Sequence, residues 1–271
     1  MRSLAVAAAV AAAATALAAG LAARSAPAAA PEVASEEVAY EQGGEKLAGT
    51  LFYDPARKDP RPGVAVVHEW WGLGEHPKRK AAELAKLGYV AFCVDMYGTG
   101  KVTSDPKQAG QWAGRFREDR ALGRARALAG LEVLRRSPRV DPRRLAAMGF
   151  CFGGTVSLEM AWSGADLKGV VSFHGNPTVP APEEAAGVKA AVLFCHGADD
   201  GFVPDAAMAE FEKAMRDGKR DWTLVKYGGA VHSFTNPDAD AHGIAGVKYQ
   251  AAADRRSWEH MKSFLRELFG E

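Results

Sequence analysis

The sequence is poor in cysteine, and the few cysteines it has argue against a disulfide framework. Only Cys93, Cys151 and Cys195 occur among 271 residues. An odd number cannot pair completely, and Cys93 and Cys195 lie inside apolar, strand-like runs where free thiols pack as core residues. There is no Cys-x-x-Cys pair and no His-x-x-x-His spacing. We therefore expect neither a bound metal nor an organic cofactor.

An excess of charge of one sign is also absent. The formal net charge is +1, which gives no basic surplus for binding nucleic acid or an anionic membrane surface. Apolar residues make up 48% of the chain and charged residues 25%, as in ordinary globular proteins. We expect no nucleic-acid partner, and the length suits one α/β domain.

The N-terminal segment lacks acidic side chains altogether. Residues 1–30 contain two arginines and no acid, and residues 4–23 are almost entirely Ala, Leu and Val. Small residues follow at Ala28–Ala30, as at a cleavage site. We predict a signal peptide over residues 1–30, a linker over 31–37 and one domain over 38–271. An uncleaved membrane anchor is the alternative, whereas a cleaved signal implies a periplasmic or secreted protein.

Apolar runs of strand length alternate with segments of helical periodicity along the domain. Val64–Val67, for example, is typical of a strand buried on both faces. The alternation predicts a twisted, mostly parallel sheet of about seven or eight strands with helices on both faces. Residues 107–136 are predicted to be helical, and residues 176–187 to be a loop. Breaks in the helical region are expected near Gly110, Gly114 and Gly123.

The stretch from Leu145 to Ser157 has the pattern of a nucleophile elbow. An apolar run ends in Gly-x-Cys-x-Gly-Gly and continues as a helix, which places Cys151 at the tip of a tight turn. Gly149 and Gly153 flank it because larger residues would crowd the turn. The N–H of Phe152 then lies at a helix N-terminus, where it can stabilise negative charge. Taken alone, the motif also fits a buried cysteine in an ordinary glycine-rich turn.

Two later strands are each followed by a loop that carries a candidate catalytic side chain. Asp200 follows the strand that ends near His196, and His232 follows the strand that ends at Tyr227. The order nucleophile, acid, histidine is the one that α/β-hydrolases use. His232 would take the thiol proton, so that activity would rise as His232 deprotonates, and Asp200 would orient its ring. The alternatives are a helix N-cap for Asp200 and an ordinary loop histidine for His232, while Asp199 is predicted to be a turn residue.

Five short motifs share one family resemblance. They are Val-Val-His-Glu-Trp-Trp-Gly-Leu (66–73), Asp-Met-Tyr-Gly (95–98), Gly-Phe-Cys-Phe-Gly-Gly (149–154), Val-Ser-Phe-His-Gly (171–175) and Val-His-Ser-Phe (231–234). Together they resemble the dienelactone hydrolase family, the cysteine-nucleophile branch of the α/β-hydrolases. The resemblance runs from about Gly63 to the C-terminal helix. It implies the α/β-hydrolase fold and a triad of Cys151, His232 and Asp200.

The resemblance also implies roles for residues after the strand that ends at Val67. Glu69 would lie against the thiol and keep it neutral until substrate displaces the carboxylate. A salt bridge between Glu69 and an arginine of the helical region is the alternative. The backbone N–H groups of Trp70 and Phe152 would form the oxyanion hole. Trp71 and Tyr97 would form part of the pocket wall.

One position departs from the family pattern. Better-known members carry an arginine four residues after the catalytic histidine, where it holds the substrate carboxylate, but here that residue is Asn236. We place Asn236 at the substrate pocket, and Arg115, Arg117 or Arg120 could supply the missing positive charge. Export is a second departure, so the chemistry carries over better than the substrate does.

The sequence therefore predicts an exported enzyme that cleaves a small ester or lactone through a thioester on Cys151. Its partner would be the small-molecule substrate, with no membrane contact after signal cleavage, and it would act as a monomer or small homo-oligomer. The alternative is a thiol redox or carboxylate-binding protein on a hydrolase fold. The Asp200–His232 pair argues against a redox role, because a redox thiol needs no proton shuttle to a leaving group.

Overall fold

An eight-stranded sheet organises residues 32–270, the part of the chain that the computed structural model describes. The predicted signal peptide, residues 1–30, and Glu271 lie outside the described residues. The strands are β1 (Ala34–Gln42), β2 (Glu45–Tyr53), β3 (Arg61–Val67), β4 (Val90–Val94), β5 (Val140–Phe150), β6 (Gly169–Phe173), β7 (Ala191–Gly197) and β8 (Trp222–Tyr227). Their order is β1-β2-β4-β3-β5-β6-β7-β8. Only β2 pairs antiparallel, with β1 and β4, so the predicted mostly parallel sheet is confirmed.

Helices cover both faces of the sheet, as predicted. They are α1 (Glu75–Lys86), α2 (Pro106–Glu118), α3 (Arg120–Arg136), α4 (Phe152–Trp162), α5 (Pro182–Ala185), α6 (Asp205–Asp217) and α7 (Ala251–Phe269). In β3, Val64 and Val66 pack with α1 and α7, whereas Ala65 and Val67 pack with α3 and α4. Successive side chains point to opposite faces, so a strand covered on both sides is apolar throughout. Within residues 32–270, no helix has the length and apolarity to cross a bilayer.

The structure places the start of the folded chain earlier than the sequence predicts. β1 begins at Ala34, which pairs with Tyr53 of β2, so part of the predicted linker (31–37) belongs to the sheet. Strand pairing uses backbone N–H and C=O groups, which need no apolar side chain. The side chains of Glu36 and Glu37 are exposed, and the hydrophobic pattern therefore gave no signal there.

The helical region also divides at a different place from the one predicted. The break lies at Asp119, between α2 and α3, and not at the glycines. The Asp119 side chain accepts a hydrogen bond from the N–H of Leu122 and caps α3. Glycine disfavours a helix by only about 1 kcal/mol, which packing can offset. Likewise, the predicted loop over residues 176–187 contains the short helix α5.

Candidate active site

Cys151 lies at a strained turn between β5 and α4. Its φ of 53° is in the left-handed region, which costs a non-glycine residue about 1–3 kcal/mol and is common at functional sites. A Cβ on Gly149 would come within 2.1 Å of the Gly153 carbonyl oxygen, and a Cβ on Gly153 within 2.2 Å of that of Val67. No side chain fits at either position. The geometry therefore has the close approach that defines a nucleophile elbow.

The structure brings together the three residues that the sequence places after different strands. His232 Nε2 lies 3.0 Å from Cys151 Sγ, and His232 Nδ1 lies 2.8 Å from Asp200 Oδ2. Asp200 is buried, and its other oxygen accepts a hydrogen bond from the N–H of Phe202. Cys151, His232 and Asp200 thus form a continuous hydrogen-bonded line from the thiol to a buried carboxylate.

This line favours the charged form of His232. Burial alone would lower the pKa of His232, but the charge of Cys151 and the hydrogen bonds that the ring makes with Asp200 and Cys151 raise it to about 10. For Asp200, burial acts to raise the pKa, and the hydrogen bond with His232 outweighs it and lowers the pKa. A charged sulfur beside His232 therefore favours the protonated ring. The sequence expectation that activity rises as His232 deprotonates stays a prediction.

The Glu69 carboxylate is bonded to residues other than the thiol. It is buried and accepts hydrogen bonds from the Ser233 hydroxyl at 3.1 Å and the Asn236 amide at 2.6 Å. His76 Nδ1 lies 3.4 Å from the same carboxylate. Burial would raise the pKa of Glu69, but His76 and Ser233 lower it to about 2. Among the described residues, no arginine forms an ion pair with this carboxylate and no hydrogen bond joins it to Cys151. The role of Glu69 in keeping the thiol neutral stays a prediction.

The predicted pocket residues divide into two groups. Trp70, Trp71 and Phe152 line a cavity of about 460 Å³ beside Cys151. Tyr97 does not line it: its hydroxyl donates to the Trp70 carbonyl oxygen at 3.1 Å, so it supports that wall from behind. Asn236 does not line it either, because its amide is committed to Glu69.

The cavity has an apolar part and a polar part. Apolar side chains come from Trp70, Trp71, Phe152, Phe202, Ile244 and Val247. Polar side chains come from Arg117, Arg120, Glu159, Asn176 and Thr178. Phe202 could have been found from its place two residues after Asp200. Ile244 and Val247 carried no sequence signal, since they reach the cavity through the long connection between β8 and α7.

The two arginines of the polar part differ in their partners. Arg120 is paired with Glu159 at 2.8 Å and also bonds the Val179 carbonyl oxygen. Arg117 has no hydrogen bond or ion pair with any residue in the described range 32–270. Arg115 does not line the cavity. Arg117 is therefore the cavity cation that no residue of the described part of the chain neutralises.

The two predicted oxyanion donors border the same space. Phe152 is the first residue of α4, and Trp70 follows β3 by three residues. Neither backbone N–H donates a hydrogen bond to another residue between 32 and 270. Unpaired amides beside a nucleophile suit a developing oxyanion, and this role remains a prediction. In the same range, no three His, Cys, Asp or Glu side chains are grouped as metal ligands.

Comparison with known proteins identifies the family. The model of the dienelactone hydrolase family matches residues 48–269. The chain belongs to the dienelactone hydrolase family. Its structure is similar to that of a dienelactone hydrolase-like promiscuous phosphotriesterase from metagenomic libraries, with a TM-score of 0.84 and 40% identity over 87% of this chain and 98% of that one. This likeness confirms the α/β-hydrolase fold.

Two relatives with provisional names point to the same chemistry. A protein of Saccharolobus solfataricus, provisionally named carboxymethylenebutenolidase, is 26% identical over 86% of this chain and 98% of its own length. A Bradyrhizobium protein, provisionally named 2-oxo-3-(5-oxofuran-2-ylidene)propanoate lactonase, is 28% identical over 76% of this chain and 83% of its own length. This member of the dienelactone hydrolase family is accordingly an enzyme that hydrolyses esters or lactones.

Proposed function

We propose that this dienelactone hydrolase-family enzyme cleaves a small ester or lactone through a thioester acyl-enzyme on Cys151. The observation that carries the proposal is the 3.0 Å approach of His232 Nε2 to Cys151 Sγ at the cavity wall, with Asp200 bound to the other ring nitrogen. Nucleophile, base and orienting acid in this arrangement are the parts that acyl transfer requires.

The reaction would proceed in two halves. The Cys151 thiolate attacks the carbonyl carbon, and the amides of Trp70 and Phe152 bind the oxyanion. His232 gives its proton to the leaving oxygen, which departs as an alcohol or, for a lactone, stays attached to the acyl group. His232 then takes a proton from water, and the resulting hydroxide attacks the thioester carbonyl. The carboxylic acid is released, while the thiolate and protonated His232 are restored.

The cavity supports a substrate that is part apolar and part anionic. Trp70, Trp71 and Phe202 offer an apolar wall, and a volume of about 460 Å³ suits a small molecule. On the polar side, Arg117 supplies a positive charge that no residue of the described range pairs, whereas Glu159 neutralises Arg120. A carboxylate on the substrate would meet Arg117, which takes the place of the arginine that Asn236 replaces.

Phosphotriester hydrolysis is a second candidate activity. The solved structure that shares 40% sequence identity with this chain is that of a protein described as a promiscuous phosphotriesterase. The attacking thiolate and the oxyanion donors could act on a phosphoryl centre as on a carbonyl centre. Release of p-nitrophenol from paraoxon, lost in Cys151→Ala, would support this activity, and no release by a folded enzyme active on esters would exclude it.

The rival redox role receives less support from the positions of the cysteines. Cys93 and Cys195 are fully buried in the core on the α1 and α7 side of the sheet, while Cys151 packs against the core on the other side. Cys151 therefore has no neighbouring thiol with which to form an intramolecular disulfide. The proposed export of the enzyme rests on residues 1–30 alone, and N-terminal sequencing of protein from a periplasmic fraction would test it.

Hydrolysis of p-nitrophenyl acetate tests the main proposal. Wild type should release a burst of p-nitrophenol, with Cys151→Ala inactive and Cys151→Ser strongly impaired. No burst and no turnover by folded protein with a free thiol, on this ester and on a carboxylated lactone, would contradict the proposal.

A further inference from the structure

His174 is a buried histidine that the proposed mechanism does not use, and it joins the two loops that do the chemistry. It follows β6 directly and is fully buried. Its Nδ1 accepts a hydrogen bond from the backbone N–H of Cys151 at 3.1 Å. Its Nε2 donates to Thr235 Oγ1 at 2.8 Å. Because Thr235 lies three residues after His232, one imidazole bridges the nucleophile's own backbone and the loop of the base.

The backbone around this bridge is strained. Cys151, His174 and Ser233 have φ values of 53°, 40° and 57°, and Lys219 is the only other non-glycine residue with positive φ between 32 and 270. Strained residues persist where surrounding contacts over-determine their conformation. Three of the four lie at this one place, so specific contacts must hold them there. The His174 bridge supplies two such contacts, and the Phe173 carbonyl oxygen gives Cys151 N–H a further acceptor at 2.9 Å.

The bridge needs a neutral imidazole with its proton on Nε2. Burial lowers the pKa of His174. Electrostatic repulsion from the neighbouring His232, whose ring centre is 5.4 Å away, and from His76 acts in the same direction. Glu69 and Asp200 act in the opposite direction, and the pKa comes to about 3. His174 therefore remains neutral, and its Nδ1 stays available as an acceptor.

We propose that His174 is a positioning residue that fixes the turn of Cys151 relative to the loop of His232. Through Thr235 it sets the 3.0 Å approach of His232 Nε2 to Cys151 Sγ. The inference rests on the proposed function for its effect on turnover. The sulfur–imidazole approach also governs thiol reactivity, which can be measured even if esters are not the substrate.

A matched pair of variants at Thr235 tests the bridge. Thr235→Val keeps the side-chain shape and removes the acceptor, whereas Thr235→Ser keeps the hydroxyl. We expect Thr235→Val to slow both the acylation burst with p-nitrophenyl acetate and the alkylation of Cys151 by iodoacetamide about tenfold to hundredfold, and to change the pH profile of alkylation. KM should stay near the wild-type value, because Thr235 does not line the cavity. Thr235→Ser should behave as wild type.

A second pair, at His174 itself, guards against a folding defect. The His174→Asn carbonyl oxygen can accept from the Cys151 N–H, and asparagine tolerates positive φ. His174→Phe fills the space without an acceptor. We expect His174→Asn to retain more alkylation rate than His174→Phe at comparable melting temperatures. The inference would be overturned if folded Thr235→Val and His174→Asn both showed the wild-type alkylation rate and pH profile. In that outcome His174→Phe would be alkylated no more slowly than the other two variants. Alkylation effects as predicted, in a wild type that turns over neither p-nitrophenyl acetate nor a carboxylated lactone, would uphold it and refute the proposed function.

Discussion

Two carboxylate–histidine pairs contact the segment from His232 to Asn236, and only one of them faces the cavity. Asp200 lies 2.8 Å from His232, and Glu69 lies 3.4 Å from His76. Both carboxylates are buried, and in both the histidine partner lowers a pKa that burial would raise.

The pairs differ in what the second ring nitrogen of each histidine meets. His232 Nε2 meets the thiol of Cys151, whereas His76 Nε2 lies 3.2 Å from the backbone carbonyl oxygen of Thr235. The first pair therefore ends at a nucleophile and the second at the protein's own backbone. The comparison shows that an acid–histidine pair is no sign of catalysis until its outer nitrogen is followed to its partner.

Changing Asp200 should have the largest effect. Asp200→Asn removes the charge that holds the His232 ring in its orientation, and we expect kcat to fall about 10⁴-fold. The neighbouring Asp199→Asn, an exposed change of the same kind, is the control and should leave kcat within about twofold. Steady-state kinetics on p-nitrophenyl acetate measures kcat of both variants. Equal losses of kcat would show that Asp200 has no role that Asp199 lacks.

The pH profile should distinguish a charged from a neutral resting histidine. His232 has its pKa raised to about 10, so its proton is present below that pH and is lost above it. We expect kcat/KM to fall in alkali with an inflection near pH 10, because the leaving oxygen then lacks its acid. A profile that instead rises through pH 6.5 would show that His232 rests neutral. The pKa of His232 measured by NMR should drop in Cys151→Ser, because the serine hydroxyl does not supply the charge by which Cys151 raises it.

Changing Glu69 should affect stability more than thiol reactivity. Glu69→Gln weakens the bonds to Ser233 and Asn236, and we expect the free energy of unfolding to fall by about 1.5–3 kcal/mol in urea denaturation. In the control Glu75→Gln, an exposed change at the start of α1, the free energy of unfolding should fall by less than about 0.5 kcal/mol. Iodoacetamide labelling of Cys151 in Glu69→Gln should be no faster than in wild type. Faster labelling would instead support the thiol-gating role that the family resemblance implies.

The lowered pKa of Glu69 also predicts a pH range in which the folded protein loses stability in acid. The pKa of Glu69 is lowered from 4.5 to about 2 on folding, so its contribution to stability is complete above pH 4.5 and is lost as the pH falls to 2. Between these limits wild type should lose stability that Glu69→Gln has already lost. The two unfolding free energies should therefore converge in acid, and parallel curves would contradict the assignment.

The smallest effect is expected at the polar side of the cavity. Arg117→Gln should raise KM about threefold to fivefold for an ester that carries a carboxylate and leave KM for a neutral ester unchanged, because an exposed ion pair contributes less than about 1 kcal/mol. Arg115→Gln, on the same helix but outside the cavity, is the control. Identical KM values for the carboxylated ester in both variants would remove Arg117 from the substrate site.

The sequence predicted the hydrogen-bonded line of Cys151, His232 and Asp200 better than it predicted the cavity wall. Cys151, Asp200 and His232 each follow a strand of a parallel sheet, and such strands bring their carboxyl ends to one edge. The steric demand for Gly149 and Gly153 is likewise local and was readable. Whether the three residues act as a triad remains a prediction.

The wall and the environment of Glu69 depend on contacts between distant segments. Asn236 bonds Glu69, which lies 167 residues earlier in the sequence, and no local sequence pattern predicts that bond. Tyr97 is an aromatic residue of the kind that lines pockets, but its hydroxyl bonds the Trp70 carbonyl oxygen and the residue lies behind the cavity wall. His174 lies in one of the family motifs, but the motif indicated no role for it, because its bonds join Cys151 and Thr235 from distant parts of the sequence.

The measurement that tests the central claim most directly is mass spectrometry of the enzyme quenched in acid during turnover of p-nitrophenyl acetate. We predict an acetyl group on the peptide that contains Cys151, formed at the rate of the burst and accumulating further in a variant with slow deacylation. A fully active enzyme that carries no acyl group on Cys151 during turnover, or carries it on another residue, would contradict the account.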